Sequence, residues 1–319
     1  MKKALVTKLI AGQYQILDLD TALTLDAVAR GKLRFITLDD KSSFLKQTTK
    51  KTKLEKKTTV LSPKPGDYVL YQIEDDKNII IDILERKNEL KRPDVANIDQ
   101  VILVFSCIRP DFSLYLLDKF LIIMEQNNLT PLLVISKIDL VEESFLNDLK
   151  QKMDYYKEKL NIEIYYVNSK QRIGVDVLEH VFKDKISVLA GQTGVGKSTL
   201  INALIPGMEL KTQEISKALG RGKHTTRHSE LYSFKGGFIA DTPGFSKIEF
   251  QIFNVEDVKS FYKDFIDYSE KCKYSNKCLH LKEPNCGVKD AVEKGLILKE
   301  RYENYVSFTE EVKNQKIKY

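Results

Sequence analysis

Short, nearly continuous apolar runs recur through the middle of the chain, and helix-compatible stretches lie between them. Such runs are typical of strands that are buried on both faces of a largely parallel sheet. The predicted strands are residues 101–105, 131–135, 163–167, 186–190 and 237–240. The predicted helices are residues 114–126, 145–159, 174–182 and 199–204. The alternation of the two predicts a doubly wound α/β domain.

The first 92 residues instead carry short strands that are separated by turn sequences. The predicted strands are residues 4–10, 13–19, 31–35, 68–71 and 79–84, with turns at 65–67 and 75–78. This spacing predicts a small β-barrel, which Arg92-Pro93 ends. After residue 250 the pattern becomes helical and charged, with one or two helices over 292–311. We therefore expect domains at residues 1–92, 93–250 and 251–319.

The excess of positive over negative charge lies wholly in residues 1–92, the predicted barrel. The net charge is +6: residues 1–92 hold 19 Lys/Arg against 13 Asp/Glu, whereas residues 93–319 hold 32 of each. The excess is densest in residues 41–57, where seven lysines accompany one acid, Glu55. Two interpretations stay open here, a solvated loop and a flexible arm that contacts nucleic-acid phosphates.

The composition is that of an ordinary globular protein, with 42% hydrophobic residues in 319. No apolar run approaches the ~18 residues that a membrane span needs. No long apolar stretch follows the charged start of the chain, so a signal peptide is not expected. We expect a cytoplasmic location and no membrane partner.

A glycine-rich segment between a predicted strand and a predicted helix is the strongest chemical feature. It is Gly191-Gln192-Thr193-Gly194-Val195-Gly196-Lys197-Ser198, followed by Thr199. Glycines let the backbone approach a phosphate, so that successive N–H groups and a helix N-terminus meet the charge. Lys197 would neutralise the β- and γ-phosphates, and the Ser198 hydroxyl would bind Mg²⁺. The alternative is a glycine-rich turn that arose by chance and binds no phosphate. Such a turn would have no reason to lie between a buried strand and a helix.

Two later segments extend the phosphate-binding pattern. Asp241 follows the strand predicted at 237–240 and begins Asp241-Thr242-Pro243-Gly244. Asp241 can hold Mg²⁺ through water, and the Gly244 N–H can bind a γ-phosphate. The segment between the glycine-rich loop and Asp241 is Gly220-Arg221-Gly222-Lys223-His224-Thr225-Thr226. A GTPase keeps its mobile, Mg²⁺-binding threonine loop in that place. Taken alone, the segment that begins at Asp241 would be interpreted as a common turn. The segment that begins at Gly220 would be interpreted as a basic surface loop.

A candidate guanine-recognition motif, Ser136-Lys137-Ile138-Asp139, follows the strand predicted at 131–135. A carboxylate at Asp139 can accept hydrogen bonds from the N1–H and the exocyclic amine of guanine, a donor pair that adenine lacks. The Lys137 stem would lie along the base. Asn168 and Ser169 follow the next predicted strand, where their backbone would contact the base oxygen. Such tetrapeptides arise often by chance, but the two segments together favour guanine.

Three of the four cysteines lie close to one histidine. The four residues, spaced C-x5-C-x-H-x5-C, are Cys272, Cys278, His280 and Cys286. Three thiolates and an imidazole complete a tetrahedral zinc shell with no open position, which predicts a structural metal. The alternative is a set of reduced cysteines without a metal. Cys107 is interpreted as a core residue.

With these residues in view, the chain resembles the circularly permuted small-ribosomal-subunit biogenesis GTPases, the RsgA or YjeQ family. The guanine-recognition motif precedes the phosphate loop, whereas in ordinary small GTPases it follows. The resemblance covers nearly the whole chain. Its further motifs are Arg92-Pro93, Ala96-Asn97-Ile98-Asp99-Gln100, Gly220-Arg221-Gly222, His224-Thr225-Thr226, Asp241-Thr242-Pro243-Gly244-Phe245 and Glu283-Pro284-Asn285-Cys286.

The resemblance implies an N-terminal OB-fold β-barrel that binds RNA, a central circularly permuted P-loop GTPase domain and a C-terminal helical zinc-binding domain. It also implies a role in late maturation of the 30S ribosomal subunit, with 16S rRNA as partner. GTP would be hydrolysed to GDP and phosphate, with stimulation by the 30S subunit. We expect one zinc ion per chain, Mg²⁺ with GTP, and a monomer.

The resemblance also bears on catalysis. Phe245 stands where other GTPases carry the glutamine that orients the attacking water, and a phenyl ring cannot do that. His224 resembles the replacement suggested for the family. Ser136 stands where the family usually has Asn or Thr, and its shorter side chain is expected to weaken guanine binding. The other expected catalytic residues are Lys197, Thr225 and Thr226.

Two other functions are compatible with parts of the sequence. One is an ATP-dependent enzyme such as a small-molecule kinase, against which Asp139 and Ser169 argue. The other is an RNA-binding module with a vestigial nucleotide site, against which Lys197, Ser198 and Asp241 argue. Competition between nucleotides distinguishes the first from a GTPase, and single-turnover hydrolysis distinguishes the second.

Overall fold

The computed structural model describes residues 1–31, 35–36, 59–60, 62–91, 94–205, 230–241 and 254–314. These residues divide into two compact units. The first is built from the residues up to Asn97 together with residues 230–232, and the second from the remainder. The lysine-rich segment 41–57 and the Arg92-Pro93 pair lie outside the described ranges.

The first unit contains a closed five-stranded barrel. The strands up to Asn97 are β1 (Lys2–Ile10), β2 (Gln13–Asp18), β3 (Thr24–Ala29), β4 (Phe35–Ile36), β5 (Thr59–Val60), β6 (Tyr68–Glu74), β7 (Lys77–Ile83), β8 (Glu89–Lys91) and β9 (Asp94–Ala96). The barrel order is β1-β2-β3-β7-β6, and β6 pairs with β1 to close it. β3 and β7 run parallel, whereas the other neighbours are antiparallel. This topology confirms the predicted OB-fold barrel.

Alternating side chains of the barrel strands form its core. Val6, Ile16, Val69, Tyr71 and Ile80 are fully buried there. Because successive residues of a strand point to opposite faces, each strand contributes only every second side chain to the core. The short strands β4 and β5 pair with each other, as do β8 and β9.

The first unit differs from the sequence prediction in several places, of which three show why. β3 has no predicted counterpart, because its only fully buried residue is Ala27 and the hydrophobic alternation is weak. Of the strand predicted at 31–35, Gly31 is a bend and residues 32–34 lie outside the described ranges, so only Phe35 lies in a strand. The turn predicted at 75–78 ends early, since β7 begins at Lys77.

The second unit is built on a parallel sheet. Its strands are β10 (Gln100–Ser106), β11 (Pro131–Ser136), β12 (Glu163–Val167), β13 (Ile186–Ala190) and β15 (Gly237–Asp241), in the order β12-β11-β10-β13-β15. Strand β14 (Glu230–Phe234) precedes β15 in the chain. All the residues of β10 and β13 are buried, as expected for strands covered on both faces. The chain reaches β11 and β12 on one side of β10 and then returns to β13 on the other side.

Helices cover the sheet as predicted. They are α1 (Leu114–Gln126), α2 (Glu143–Leu160), α3 (Val175–Leu178) and α4 (Lys197–Leu204). The Ser113 hydroxyl caps α1 by accepting a hydrogen bond from the Leu116 N–H at 3.2 Å. The helix predicted at 174–182 is shorter, because the chain tightens into a 3-10 helix over Glu179–Phe182.

Four further helices follow: α5 (Val255–Ser260), α6 (Ile266–Ser269), α7 (Gly287–Glu293) and α8 (Lys299–Asn314). Their core contains Tyr262, Phe265, Tyr305 and Phe308, and it also includes Ile122 of α1. No described helix combines the length and hydropathy that crossing a membrane requires. The predicted fold class is confirmed in all three parts: the barrel, the permuted P-loop α/β domain and a helical region with a Cys/His cluster.

Candidate nucleotide and metal sites

Among the described residues, the phosphate loop, the turn with Asp139 and the segment with Asn168 follow strands that end at one edge of the parallel sheet. Ser106, Ser136 and Val167 are in register at the carboxyl ends of β10, β11 and β12. Leu103 of β10 is in register with Ala190, the last residue of β13. The strand order reverses between β10 and β13, and ligands of open α/β sheets bind in the crevice at such a point. Segments distant in sequence therefore line one crevice.

The phosphate loop joins β13 to α4 through a backbone that requires glycine. Gly191 has a φ of +141°, and a Cβ there would lie 2.2 Å from the Val104 carbonyl oxygen. Gly194 and Gly196 have φ values of +87° and +98°. Residues other than glycine rarely adopt such φ values. The three glycines therefore allow the loop path that leads into the N-terminus of α4.

Lys197, the first residue of α4, lies over this loop. Its ammonium donates hydrogen bonds to the carbonyl oxygens of Gly191 (2.8 Å) and Gln192 (2.7 Å). Burial lowers the pKa of Lys197 to about 8. The positive charge is therefore present at neutral pH and is lost as the pH rises through 8.

We expect the affinity for GDP to fall about fourfold between pH 7 and pH 8.5, because the fraction of charged Lys197 falls by that factor. Phosphate stabilises the ammonium, so nucleotide binding should take up a proton near pH 8. Titration of a fluorescent GDP analogue across this pH range measures the effect. Lys197→Ala should bind weakly at every pH, and a flat profile for the unmodified protein would contradict the expectation.

Ser136 connects the guanine-recognition motif to the phosphate loop. Its buried hydroxyl lies 2.5 Å from the Val195 carbonyl oxygen and 3.1 Å from that of Phe105. One hydroxyl proton can be donated to only one of these oxygens at a time. In this structure the Ser136 hydroxyl therefore links the end of β11 to the phosphate loop or to β10.

Lys137 is anchored by a loop that the sequence did not single out. The residue adopts a left-handed backbone with a φ of +59°. Its ammonium donates to the carbonyl oxygens of Ile108 (3.2 Å) and Arg109. Burial lowers the pKa of Lys137, and the nearby charges of Arg109 and Lys170 lower it further. The only sequence signal for this loop is its place directly after a buried parallel strand.

Asp139 lies in a single 3-10 turn, Ile138–Leu140, and its side chain is exposed. Burial raises the pKa of the neighbouring Cys107 to about 11, and the Asp139 charge contributes to the rise. Cys107 is a buried thiol at the end of β10, as predicted for a core residue. The Asp139 carboxylate is thus the accessible acceptor at this edge.

Asn168 shapes the second predicted base-binding loop. Its side-chain oxygen accepts hydrogen bonds from the Lys170 N–H (3.1 Å) and the Gln171 N–H (3.2 Å). Its backbone exchanges two hydrogen bonds with Ile173. Ser169 has a buried hydroxyl with no hydrogen bond to the described part of the chain. These contacts fix the backbone after β12 beside the loop that carries Asp139.

The remaining predicted nucleotide residues are placed only in part. Ser198 and Thr199 lie in the first turn of α4, after Gln192 and Thr193 of the loop. The backbone of Asp241 ends β15, which pairs with β13. Four predicted residues lie outside the described ranges: His224, Thr225, Thr226 and Gly244.

The four predicted metal ligands form one buried cluster. The potential ligand atoms of Cys272, Cys278, His280 and Cys286 all lie within 4.8 Å of one another. Cys272 Sγ is 3.5 Å from His280 Nδ1 and 3.8 Å from Cys286 Sγ. Cys286 Sγ is 3.4 Å from His280 Nδ1. Three sulfurs and one nitrogen at these separations can hold a metal ion.

Surrounding groups orient this cluster. Ser269 Oγ lies 3.2 Å from His280 Nε2, which turns Nδ1 toward the sulfurs. The Gly287 N–H donates to Cys272 Sγ at 3.3 Å. Burial lowers the pKa of His280, so its imidazole is neutral and can bind a metal. Burial raises the pKa of Cys278 to about 12, so its thiolate needs a cation to stabilise it.

Comparison with known proteins gives a consistent result. The RsgA GTPase family matches residues 83–251. A protein of Onion yellows phytoplasma (strain OY-M) named small ribosomal subunit biogenesis GTPase RsgA is 53% identical over 315 residues, which cover 99% of each chain. The protein of the same name from Bacillus subtilis (strain 168) is 46% identical over 261 residues, 81% of this chain and 87% of the relative.

Two solved structures share the fold. The crystal structure of YjeQ from Thermotoga maritima superposes with a TM-score of 0.77 at 34% identity and covers 99% of each chain. The structure of YloQ, described as a circularly permuted GTPase, gives a TM-score of 0.75 at 34% identity, covering 100% of this chain and 97% of the other.

Proposed function

This chain belongs to the RsgA family of GTPases, as its motifs predict, and from that premise we propose that it serves late maturation of the 30S ribosomal subunit. Within that role it hydrolyses GTP to GDP and phosphate, acts in the cytoplasm as a monomer, and is stimulated by the 30S subunit. The observation that carries the proposal is the meeting of the phosphate loop and the Asp139 turn at one sheet edge in permuted order.

The phosphate loop holds the triphosphate in this proposal. The glycine backbone and the N-terminus of α4 surround the phosphates, and Lys197 turns from the loop carbonyls to the β- and γ-oxygens. Mg²⁺, which neutralises charge on the transferring phosphoryl group, would be held by Ser198 and Asp241. Water is the nucleophile, so the residues of this chain contribute position and charge rather than a covalent bond.

Guanine is selected by the exposed carboxylate of Asp139, which accepts both donors on that edge of the base. The Lys137 stem, anchored at Ile108 and Arg109, supports the base face. The backbone after β12, shaped by Asn168 and including Ser169, contacts the base oxygen. Ser136 contributes indirectly by fixing this motif to the phosphate loop.

His224 is the proposed catalytic group that replaces the glutamine found in other GTPases, because Phe245 cannot orient water. In this scheme the 30S subunit orders residues 220–227, which brings Thr225 or Thr226 to Mg²⁺ and His224 near the attacking water. His224→Ala should therefore cut stimulated hydrolysis by about tenfold or more while GTP affinity stays nearly unchanged. If His224→Ala bound GTP normally and the 30S subunit stimulated its hydrolysis as strongly as in the unmodified protein, His224 would have no catalytic role.

Zinc is the metal that best fits the cluster. Zn–S bonds of about 2.3 Å and Zn–N bonds of about 2.05 Å in a tetrahedron separate two sulfurs by about 3.8 Å and a sulfur from a nitrogen by about 3.6 Å. The observed separations are 3.8 Å for Cys272 and Cys286, and 3.4–3.5 Å for the sulfur–nitrogen pairs. Four protein ligands leave no open position, so the zinc is structural and takes no part in hydrolysis.

Contact with the 30S subunit and its 16S rRNA is assigned to the barrel and its lysine-rich arm, which hold the whole charge excess. Co-sedimentation with 30S subunits tests this proposal. Binding should be stronger with a non-hydrolysable GTP analogue than with GDP, should weaken steeply with added salt, and should weaken when residues 1–92 are removed. If the fraction that sediments with 30S subunits changed with neither the bound nucleotide nor the salt concentration, the proposal would be contradicted.

A further inference from the structure

A buried charge cluster joins the C-terminal helices to the helices of the α/β domain. Arg301 of α8 is 3% exposed and lies between two fully buried carboxylates, Asp118 of α1 and Asp264. Buried charges of this kind are costly unless every one is paired and hydrogen-bonded. The cluster is therefore a strong constraint on how these helices are placed.

Each charge in the cluster is satisfied. Arg301 donates to Asp118 Oδ1 at 2.5 Å, and to both oxygens of Asp264 at 2.5 and 2.9 Å. Asn304, one turn further along α8, donates to Asp118 Oδ2 at 2.6 Å. The guanidinium also lies 4.5 Å from the centre of the Tyr262 ring. Arg301 thus fixes α8 to α1 with directional bonds.

Two adjacent tyrosines of α2 complete the cluster, and each donates its hydroxyl to a different carboxylate. The Tyr156 hydroxyl donates to Asp118 at 2.9 Å, whereas the Tyr155 hydroxyl donates to Asp264 at 2.8 Å. The first bond belongs to the α/β domain, since both residues lie on its helices. The second bond joins α2 to Asp264 in the C-terminal region.

Asp118 is connected to the proposed guanine site through α1 and the loop that precedes this helix. It is in the first turns of that helix, directly after the loop that ends at the Ser113 cap. The carbonyl oxygens of Ile108 and Arg109 in this loop hold the Lys137 ammonium. Pro110 of the same loop lies against Gly194 of the phosphate loop, 3.7 Å from where a Cβ on Gly194 would be. The start of α1 thus sets the position of groups on both sides of the nucleotide crevice.

We propose that Arg301 is a positioning residue for the guanine nucleotide, acting through Asp118 and the loop before α1. This inference rests on the guanine site proposed above. On this proposal, the C-terminal region contributes to nucleotide affinity although it does not contact the nucleotide. The Tyr302 hydroxyl on α8 also donates to the carbonyl oxygen of the metal-cluster residue His280 at 2.7 Å, so α8 contacts both the charge cluster and the metal cluster.

The two tyrosines provide a matched test in the full-length protein. Tyr156→Phe and Tyr155→Phe each remove one hydroxyl bond to one carboxylate of the cluster and keep the ring. We expect Tyr156→Phe to lower Tm more than Tyr155→Phe, because Tyr156 is fully buried whereas Tyr155 is partly exposed. Tyr156→Phe should weaken binding of a fluorescent GDP analogue by about threefold or more, whereas Tyr155→Phe should stay within about twofold of the unmodified protein. Arg301→Lys, which keeps the charge but cannot bond both carboxylates, should weaken GDP binding at least as much as Tyr156→Phe.

Hydrogen exchange gives a second readout, because coupling between two sites is reciprocal. GDP should slow amide exchange in Lys299–Asn314 of the unmodified protein and of Tyr155→Phe, and less so in Tyr156→Phe. Equal GDP affinities for the two tyrosine variants would overturn the inference, since a cluster that only stabilises the fold would leave the GDP affinity of both folded variants unchanged. Failure of the unmodified protein to bind GDP would instead overturn the proposed guanine site.

Discussion

Asp139→Asn should lower the affinity for GDP on the order of a hundredfold or more and create affinity for xanthosine diphosphate. The carboxylate accepts two hydrogen bonds from guanine, and bonds to a charged acceptor contribute about 1.5–3 kcal/mol each. An asparagine offers one acceptor and one donor. Xanthine carries an oxygen where guanine carries the exocyclic amine, so the amide donor finds a partner on xanthine only.

Competition of GDP, xanthosine diphosphate and ADP against a fluorescent GDP analogue measures this exchange of specificity. Asp139 is exposed, so the substitution should leave Tm unchanged. Glu142→Gln is the matched control, because Glu142 is an exposed carboxylate three residues further on that makes no capping bond to α2. If Asp139→Asn kept full GDP affinity, the assignment of Asp139 to the base would be wrong.

Cys278→Ser should abolish zinc binding and unfold much of the C-terminal region. A hydroxyl is a poor zinc ligand, and structural zinc sites contribute about 10–16 kcal/mol of folding free energy in small domains. The cluster shares its core with Tyr262, Phe265, Tyr305 and Phe308, so loss of the metal should loosen all four aromatic side chains. Elemental analysis and thermal unfolding measure the two effects.

Cys107→Ser is the control for this variant, because Cys107 is equally buried but lies outside the cluster. It should keep one zinc per chain and lose only the modest stability expected for a polar atom in a core. One zinc per chain in Cys278→Ser, or none in the carefully prepared unmodified protein, would contradict the assignment of the four ligands.

Elements with a strong hydrophobic pattern were predictable from the sequence to the residue. Strands Glu163–Val167 and Ile186–Ala190 and helix Leu114–Gln126 have the predicted bounds. Strand Ile186–Ala190 and helix Leu114–Gln126 bury most of their apolar side chains, so local pattern and tertiary burial agree there, whereas Glu163–Val167 buries only Val167 fully. β3 was missed because it buries little, and the β8–β9 hairpin because its sequence is charged and interrupted by Pro93.

The glycine backbone at Gly191 and the gathering of four Cys/His side chains around Cys278 were predictable, because both depend on local residue types and spacing. The site was not predictable where long-range contacts decide the role of a side chain. The Ser136 hydroxyl, for example, bonds to Val195, which is 59 residues away, a contact that its place in the guanine-recognition motif does not predict. Arg301 and Asp118, 183 residues apart, resemble ordinary solvated charges of helices until the fold brings them together.

The most direct test of the central claim is phosphate release from GTP measured with and without purified 30S subunits, with ATP as a parallel substrate. The protein alone should be slow, on the order of 10⁻⁴–10⁻² s⁻¹, as GTPases without a positioned water are. The 30S subunit should accelerate GTP hydrolysis about tenfold or more and leave ATP untouched. A GTP rate that 30S subunits do not change, or equal hydrolysis of ATP, would contradict the account of a guanine-specific switch in small-subunit maturation.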